Sequence, residues 1–279
     1  MKGIIVKNIS NDYVVSCDDK EYLCQARGKL RKDKIIPLVG DIVSFDDKTN
    51  YILDIDKRRN YLIRPSVSNI DYAMVVTSVK EPNLDTNLLD RLLLIISYNN
   101  IEPIICFTKL DLLNELEEKK IRRIIEYYKE IGYKVYTNDM VEEIKKLFCH
   151  KVTVFTGQSG AGKSSLLNKL DKNLELKTDA ISLALGRGKH TTRHTELFEI
   201  NRGYVVDTPG FSSIDFRGMT KLDIRDNTKE MFDNLDKCKY RDCLHIKEDG
   251  CYVKELVKSG VILKSRYNNY KNFIESVDK

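Results

Sequence analysis

A glycine-rich segment in the middle of the chain limits the folds open to it more than any other feature. Residues 157–164 read Gly-Gln-Ser-Gly-Ala-Gly-Lys-Ser and match the pattern G-x-x-x-x-G-K-[ST]. The run Lys151–Thr156 before them predicts a strand, and a helical pattern follows from Lys163. Such a turn aims backbone N–H groups and a helix N-terminus at one point, which suits phosphate oxygens. The segment therefore predicts a phosphate loop in an α/β domain.

The side chains of this loop have separate predicted roles. Lys163 is expected to reach the β- and γ-phosphates of a nucleotide and to act in catalysis, and the Ser164 hydroxyl is expected to ligate Mg²⁺. The residues predicted to bind the nucleotide here are Gly157, Gln158, Ser159, Gly160, Ala161, Gly162, Lys163, Ser164 and Ser165.

A second motif, made of Thr108, Lys109, Leu110 and Asp111, follows the predicted strand Glu102–Phe107. A carboxylate at Asp111 can accept hydrogen bonds from N1–H and N2–H₂ of guanine, a donor pair that adenine lacks. Alternatively, Asp111 caps a helix that begins one residue later. Beside the phosphate loop, we favour guanine recognition, and all four residues are predicted to bind the nucleotide.

A third motif, Asp207-Thr208-Pro209-Gly210, ends a predicted strand. Asp207 can hold Mg²⁺ through water, and the Gly210 N–H can bond the γ-phosphate, so this loop is predicted to sense the nucleotide state. A polar segment, 186–194, lies between this motif and the phosphate loop. We predict a switch loop there, with Thr192 as the first choice of Mg²⁺ ligand and Thr191 as the second; the alternative is an exposed basic loop.

The residue after Gly210 bears on hydrolysis. Ras-like enzymes often place a glutamine there to orient the attacking water, but this chain has Phe211, which cannot hydrogen-bond to water. We therefore expect slow intrinsic hydrolysis. His190 is the candidate for positioning the water and His194 the alternative, unless His190 contacts only RNA or phosphate.

Four potential metal ligands cluster near the C-terminus. Cys238, Cys243, His245 and Cys251 supply three thiolates and one imidazole, a closed tetrahedral set that fits one structural zinc ion. The chain has seven cysteines, an odd number, and no evident export signal, which argues against a disulfide framework. Buried thiols or a redox pair remain the alternatives.

The pattern along the chain predicts three domains. Five β-rich runs before residue 62 predict a small barrel of OB or SH3 type. Strands then alternate with helices, which predicts a parallel sheet covered by helices, and the chain after about 218 reads as helical. We place the domains at 1–62, 63–218 and 219–279, without a membrane span.

Basic residues concentrate in two regions of a chain whose formal net charge is +5. Each region is predicted to bind RNA, with a solvated basic face as the equal alternative. The barrel region contains Arg27, Lys29, Arg31, Lys32 and Lys34. The terminal region contains Lys254, Lys258, Lys264, Arg266, Tyr267, Tyr270 and Lys271.

The order of the nucleotide motifs is unusual, because Asp111 precedes the phosphate loop and Asp207 comes last. In this order the chain closely resembles the circularly permuted, ribosome small-subunit-dependent GTPases (the RsgA/YjeQ family). Further segments that support the resemblance are Val39-Gly40-Asp41, Arg64-Pro65, Asn69-Ile70-Asp71 and Lys189-His190-Thr191-Thr192. The chain departs from common GTPase patterns at Thr108, where many have asparagine, and at Thr137-Asn138, where a Ser-Ala motif is usual.

The resemblance implies an N-terminal OB fold, a permuted GTPase domain and a C-terminal zinc domain. It implies GTP or GDP, Mg²⁺ and Zn²⁺ as ligands, and the small ribosomal subunit and its rRNA as partners during late maturation of that subunit, with hydrolysis stimulated by it. We expect a cytoplasmic monomer. The alternatives are a GTP-dependent RNA or protein tether with negligible turnover, and a P-loop kinase or ATPase, which the second and third motifs oppose.

Overall fold

The computed structural model describes residues 1–28, 30, 35–62, 66–171, 196–207 and 216–277. The chain divides into two compact units, each described below by itself. The first contains residues 1–74 and 139–156 and the described part of 163–211; the second contains residues 75–138 and 157–162 and the described part of 212–279. None of the helices described is long and apolar enough to cross a membrane.

The first unit begins with a closed five-stranded barrel, as the sequence predicted. Its strands follow the order β1-β2-β3-β5-β4 around the barrel. Their bounds are β1 Lys2–Ile9, β2 Asp12–Cys17, β3 Lys20–Ala26, β4 Ile42–Asp46 and β5 Tyr51–Ile55. Alternate residues point inward, so that Tyr13, Val15 and Cys17 of β2 are buried.

A buried polar cluster joins the segment before β4 to a short hairpin. The Asp41 carboxylate is fully buried and accepts hydrogen bonds from the Arg58 guanidinium and from the Ser68 hydroxyl. Gly40 has φ +89°, and a Cβ there would lie 2.2 Å from the Ser68 carbonyl oxygen. Only glycine fits this approach, which explains the Val39-Gly40-Asp41 segment structurally. Ser68 belongs to a short hairpin formed by β6 Tyr61–Leu62 and β7 Val67–Ser68.

The first unit also contains α/β strands. The strands are the start of β8 (Tyr72–Ser78), β11 (Val152–Gly157), β13 (Gly203–Asp207) and β12 (Phe198–Ile200), in that order. Two helices accompany them, α3 Val141–Phe148 and α4 Lys163–Leu170.

The prediction of a parallel sheet needs one correction in this unit. β11 and β13 are parallel, but β12 pairs antiparallel with β13. Asn201 and Arg202 connect those two strands and have φ +52° and +60°. Two residues with positive φ form a tight hairpin turn, which can join only antiparallel strands.

The second unit contains β9 (Glu102–Thr108) and β10 (Lys134–Thr137), which lie in the order β10-β9-β8 with the end of β8, and the C-terminal helices. The strands and first helices are α1 Thr86–Tyr98, β9 Glu102–Thr108, α2 Glu115–Glu130 and β10 Lys134–Thr137. The later helices are α5 Lys221–Asp226, α6 Lys229–Phe232, α7 Tyr252–Ser259 and α8 Lys264–Ser276.

A buried ionic cluster joins α8 to the helices before it. The Arg266 guanidinium lies 2.6 Å from Asp90 on α1 and 2.6 Å from Glu230 on α6. Tyr127 and Tyr128 on α2 donate their hydroxyl hydrogens to Glu230 and Asp90. The cluster therefore fixes three helices against the C-terminal one.

This cluster corrects the predicted RNA-binding role of Arg266. Its side chain is 4% exposed, because carboxylates from two other helices enclose it. Tyr270 is buried as well, and its hydroxyl donates to the Leu244 carbonyl. Neither side chain is available to stack on or pair with an external RNA.

Candidate nucleotide site and Cys/His centre

The phosphate loop has the backbone shape that its glycines predict. It runs from the end of β11 to the start of α4 at Lys163, with φ +132° at Gly157, +75° at Gly160 and +88° at Gly162. A Cβ on Gly157 would lie 1.9 Å from the Val76 carbonyl oxygen of β8. Glycine at 157 is therefore required both by the φ angle and by the approach of β8.

Thr108 connects the second motif to this loop. Its side chain is 2% exposed, and its hydroxyl donates to the Ala161 carbonyl at 2.6 Å and lies 3.4 Å from the Thr77 carbonyl. Where many GTPases have asparagine, a threonine hydroxyl therefore makes a bond to the phosphate loop. Lys109 adopts φ +62°, and its ammonium donates to the Glu81 carbonyl.

Asp111 lies in a short 3-10 turn, Leu110–Leu112, and is exposed. The helix that follows starts at Glu115, where the side chain of Asn114 accepts from the backbone of Glu117 in a capping box. The alternative role of Asp111 as that helix cap is therefore wrong, since Asn114 takes it. The Asp111 carboxylate stands in the same unit as residues 157–162.

Asp207 is the last residue of β13, and the parallel register pairs it with Phe155 of β11. Two residues after Phe155 the phosphate loop begins at Gly157. Parallel strands end at the same edge of a sheet, so Phe155 and Asp207 both lie at that edge. Six residues with predicted roles lie outside the described residues, and their roles remain predictions: His190, Thr191, Thr192, His194, Gly210 and Phe211.

Lys163 and Ser164 occupy the first turn of α4, and Ser165 follows on the same helix.

The sequence motifs did not identify one neighbour of the loop. Pro82, between β8 and α1, has its Cδ 3.5 Å from where a Cβ on Gly160 would be. No motif marks Pro82, because its position depends on where β8 ends beside the loop.

The four predicted metal ligands come together in the C-terminal part of the second unit. Their ligand atoms all lie within 4.8 Å of one another. The Cys238 and Cys251 sulfurs are 3.9 Å apart, and His245 Nδ1 is 3.5 Å from the first and 3.3 Å from the second. Tetrahedral zinc with its usual bond lengths requires about 3.8 Å between two sulfurs and about 3.6 Å between sulfur and nitrogen. The donor set and its spacing therefore fit a zinc ion.

The hydrogen bond made by the other ring nitrogen of His245 leaves Nδ1 available to bind a metal. Its Nε2–H faces the Met231 carbonyl at 3.1 Å, which leaves the lone pair on Nδ1 for a metal. Burial lowers the pKa of His245 and so favours the neutral ring. Burial also raises the pKa of the Cys243 thiol to about 12, so thiolates here need a cation beside them.

The basic region of the barrel is described only in part. Arg27 is exposed, as an RNA contact requires. Lys29, Arg31, Lys32 and Lys34 lie outside the described residues.

Comparisons with known proteins agree with these features. The model of the RsgA GTPase family matches residues 55–217, and that of the RsgA N-terminal domain matches residues 2–52. The chain is 45% identical to small ribosomal subunit biogenesis GTPase RsgA 2 of Oceanobacillus iheyensis, over 99% of this chain and 97% of that protein. It is also 45% identical to small ribosomal subunit biogenesis GTPase RsgA of Enterococcus faecalis, over 100% of this chain and 96% of that protein.

Solved structures show the same architecture. The crystal structure of YloQ, described as a circularly permuted GTPase, superposes with a TM-score of 0.85 at 38% identity, covering 99% of this chain and 94% of that one. YjeQ from Thermotoga maritima superposes with a TM-score of 0.82 at 33% identity, covering 100% and 99%. With its barrel, its permuted nucleotide motifs and its Cys/His cluster, the chain belongs to the RsgA GTPase family.

Proposed function

We propose that this protein binds the small ribosomal subunit and hydrolyses GTP to GDP and phosphate during late maturation of that subunit, with hydrolysis stimulated by the subunit. The observation that supports it most directly is the bond from Thr108 to the Ala161 carbonyl, which ties a guanine-recognition segment to a phosphate loop. The relatives named above as small ribosomal subunit biogenesis GTPases supply the partner.

In this proposal the residues of the loop position the triphosphate. Lys163 at the start of α4 neutralises charge on the β- and γ-phosphates, and Asp111 accepts from the guanine edge. Ser164 and Thr192 would hold Mg²⁺, with Asp207 acting through water; the ion when bound offsets phosphate charge as it develops. Ser164 lies in the first turn of α4 and Asp207 ends β13, positions that fit such a site.

We assign the positioning of water to His190, because Phe211 offers no hydrogen-bonding group. A His190→Ala variant should bind GTP normally and lose most of the subunit-stimulated turnover. His190→Gln, which keeps a hydrogen-bonding side chain, should retain part of it. Full stimulated turnover in the alanine variant would exclude this role.

We propose that Cys238, Cys243, His245 and Cys251 hold one structural zinc ion. Metal analysis of the purified protein should give one zinc per chain. Cys251→Ser should lower both the zinc content and the melting temperature, whereas Cys149→Ser, which changes an exposed cysteine, should change neither. Equal zinc content in the two variants would contradict the assignment.

We propose domains at 1–62, 63–218 and 219–279, with the barrel contacting rRNA through the basic region that includes Arg27. The protein is proposed to act as a cytoplasmic monomer.

The decisive measurement is phosphate release from GTP by the whole protein, alone and with purified small ribosomal subunits. ATP and large subunits are the controls. Strong stimulation with small subunits and GTP only is the expected result. Tight GTP binding without stimulation would overturn the proposal in favour of a GTP-dependent tether, the alternative that Phe211 raises.

A further inference from the structure

The barrel holds the chain directly after the predicted switch loop. The Leu197 N–H donates to the Val6 carbonyl of β1 at 2.8 Å, and Lys7 and Glu196 form an antiparallel bridge. The Lys7 ammonium also lies 2.9 Å from the Glu196 carboxylate. Leu197 itself is only 6% exposed. A backbone bond, an ion pair and a buried side chain therefore fix this point together.

A bulge in β1 makes the backbone bond possible. In the pairing with β2, Ile5 faces Val15 and Lys7 faces Val14, so Val6 is an extra residue in β1. The extra residue of a bulge is left out of the ladder with the neighbouring strand. Here its carbonyl accepts from Leu197 instead.

The strand that provides this anchor is itself held firmly. β1 pairs with β2 on one side and with β4 on the other, and the Ile5 carbonyl accepts from the Gly40 N–H. Any displacement of β1 would thus have to move the barrel around it. β1 therefore ties Glu196 and Leu197 to the barrel through its own strand pairings.

We propose that β1 is the anchor of the switch loop, with Lys7 and Glu196 as positioning residues through which RNA bound to the barrel acts on GTP hydrolysis. Glu196 follows Thr192 by four residues and His190 by six. Glu196 and Leu197, which are held on β1, therefore come shortly after the segment that carries the predicted Mg²⁺ ligand and the predicted water-positioning group. This proposal rests on the proposed function, in which the barrel binds rRNA and the subunit stimulates hydrolysis.

Any effect of barrel-bound RNA on GTP affinity must be matched by an equal effect of GTP on RNA affinity, whereas an effect on the turnover number carries no such requirement. A firm connection between β1 and residues 196 and 197 would transmit the effect of RNA without any contact between RNA and nucleotide.

Charge reversal tests the anchor on the whole protein. Lys7→Glu and Glu196→Lys should each lower the turnover number at saturating small subunits by about two- to five-fold, the range expected for a partly exposed ion pair. KM for GTP should change little. The double variant restores an ion pair with its charges exchanged and should recover the stimulated rate.

Lys2→Glu is the matched control. It makes the same charge change on the same strand, and the Lys2 ammonium pairs with Asp56 rather than with the switch region. Any effect of negative charge on RNA affinity should therefore appear in both lysine variants, whereas loss of stimulation at saturation should appear only with Lys7→Glu.

A disulfide gives a second test that does not depend on charge. The bond from Leu197 to Val6 makes Lys7 and Glu196 a non-hydrogen-bonded pair, whose Cα atoms are about 4.5 Å apart, within the range a disulfide spans. The double variant Lys7→Cys/Glu196→Cys should be stimulated weakly when reduced and strongly when oxidised. Wild-type protein treated with the same oxidant controls for the Cys238 cluster.

The outcomes separate the two proposals. Stimulated wild-type protein together with fully stimulated Lys7→Glu and Glu196→Lys variants would overturn the anchor and leave the proposed function standing. A double reversal that fails to recover, or a cysteine pair that is indifferent to oxidation, would also overturn it. Wild-type protein that small subunits do not stimulate would overturn both.

Discussion

Replacing Thr108 by valine removes one hydroxyl from the proposed nucleotide site at almost constant volume. In the structure this hydroxyl donates to the Ala161 carbonyl at 2.6 Å, and both residues are at least 98% buried. The variant leaves that carbonyl without its donor in a place that water does not reach. We therefore expect the phosphate loop to lose part of its preference for the conformation that binds phosphate.

The size of the effect follows from the cost of an unsatisfied buried group, which is about 1–3 kcal/mol. The bond stabilises both the fold and the conformation of the loop, so its loss divides between two measurable quantities. One part of the free-energy cost lowers the stability of the protein. The other part lowers nucleotide affinity, because a smaller fraction of the protein has the loop conformation that binds phosphate. If the whole cost appeared in affinity, GDP would bind about 5- to 150-fold more weakly.

The assay combines titration of a fluorescent GDP analogue with urea unfolding of the nucleotide-free protein. Thr108→Ser keeps the donor and should retain most of the affinity. Thr153→Val is the matched control, because Thr153 is fully buried on β11 and its hydroxyl has no partner among the described residues. Its removal should be neutral or slightly stabilising.

The loss of binding free energy and the loss of unfolding free energy are added, and their sum shows whether the Thr108 bond contributes as described. A sum of at least about 1 kcal/mol for Thr108→Val, and near zero for Thr153→Val, would agree with the bond as described. Equal results for the two valine variants would refute the reasoning, because the Thr108 hydroxyl would then contribute nothing specific to the loop.

Three further predictions concern other parts of the protein. Asp111→Asn should weaken GTP binding about 10- to 150-fold, the cost of charge-assisted bonds to the base edge, without improving ATP binding; competition titrations with both nucleotides test this. Arg266→Met should destabilise the protein by about 3–5 kcal/mol in urea, because it leaves Asp90 and Glu230 buried without their cation, and adding Asp90→Asn and Glu230→Gln should recover part of the loss. Burial opposes ionisation of Asp71, but bonds from Arg59, the Val152 N–H and Lys151 outweigh it and lower the pKa of Asp71. Its stabilising effect should therefore be complete above about pH 4 and be lost as pH falls below that value, and unfolding midpoints of Asp71→Asn should depend less on pH in that acid range.

Local patterns in the sequence predicted most of the elements. β9 and β11 lie within one residue of the predicted strands Glu102–Phe107 and Lys151–Thr156, and α4 begins at Lys163 as predicted, because alternation and helical periodicity record which face of each element is buried. The predictions were wrong where a helix cap or a tight turn decided the start of a helix or the direction of a strand. The start of α2 moved from Leu112 to Glu115 because a capping box at Asn114 provides a better helix start, and β12 turned antiparallel because its hairpin has two residues with positive φ.

By itself, the sequence determined the candidate sites whose residues lie close together along the chain. The phosphate loop and the Cys/His cluster each lie within fewer than twenty residues, so the chain can bring their atoms together by local turns alone. The order of Asp111, Gly157 and Asp207 likewise revealed the permutation without any coordinates.

Tertiary structure alone decided which distant groups meet. Thr108 and Ala161 are separated by 53 residues, and only the packing of β9 beside the phosphate loop joins them. The same holds for Val6 and Leu197, which meet because a bulge leaves one carbonyl outside the barrel ladder. Arg266 is a basic residue of the type that contacts RNA, but carboxylates from two other helices surround it and it is buried. Whether a charged side chain faces solvent depends on partners that lie far away in sequence, and no local spacing encodes them.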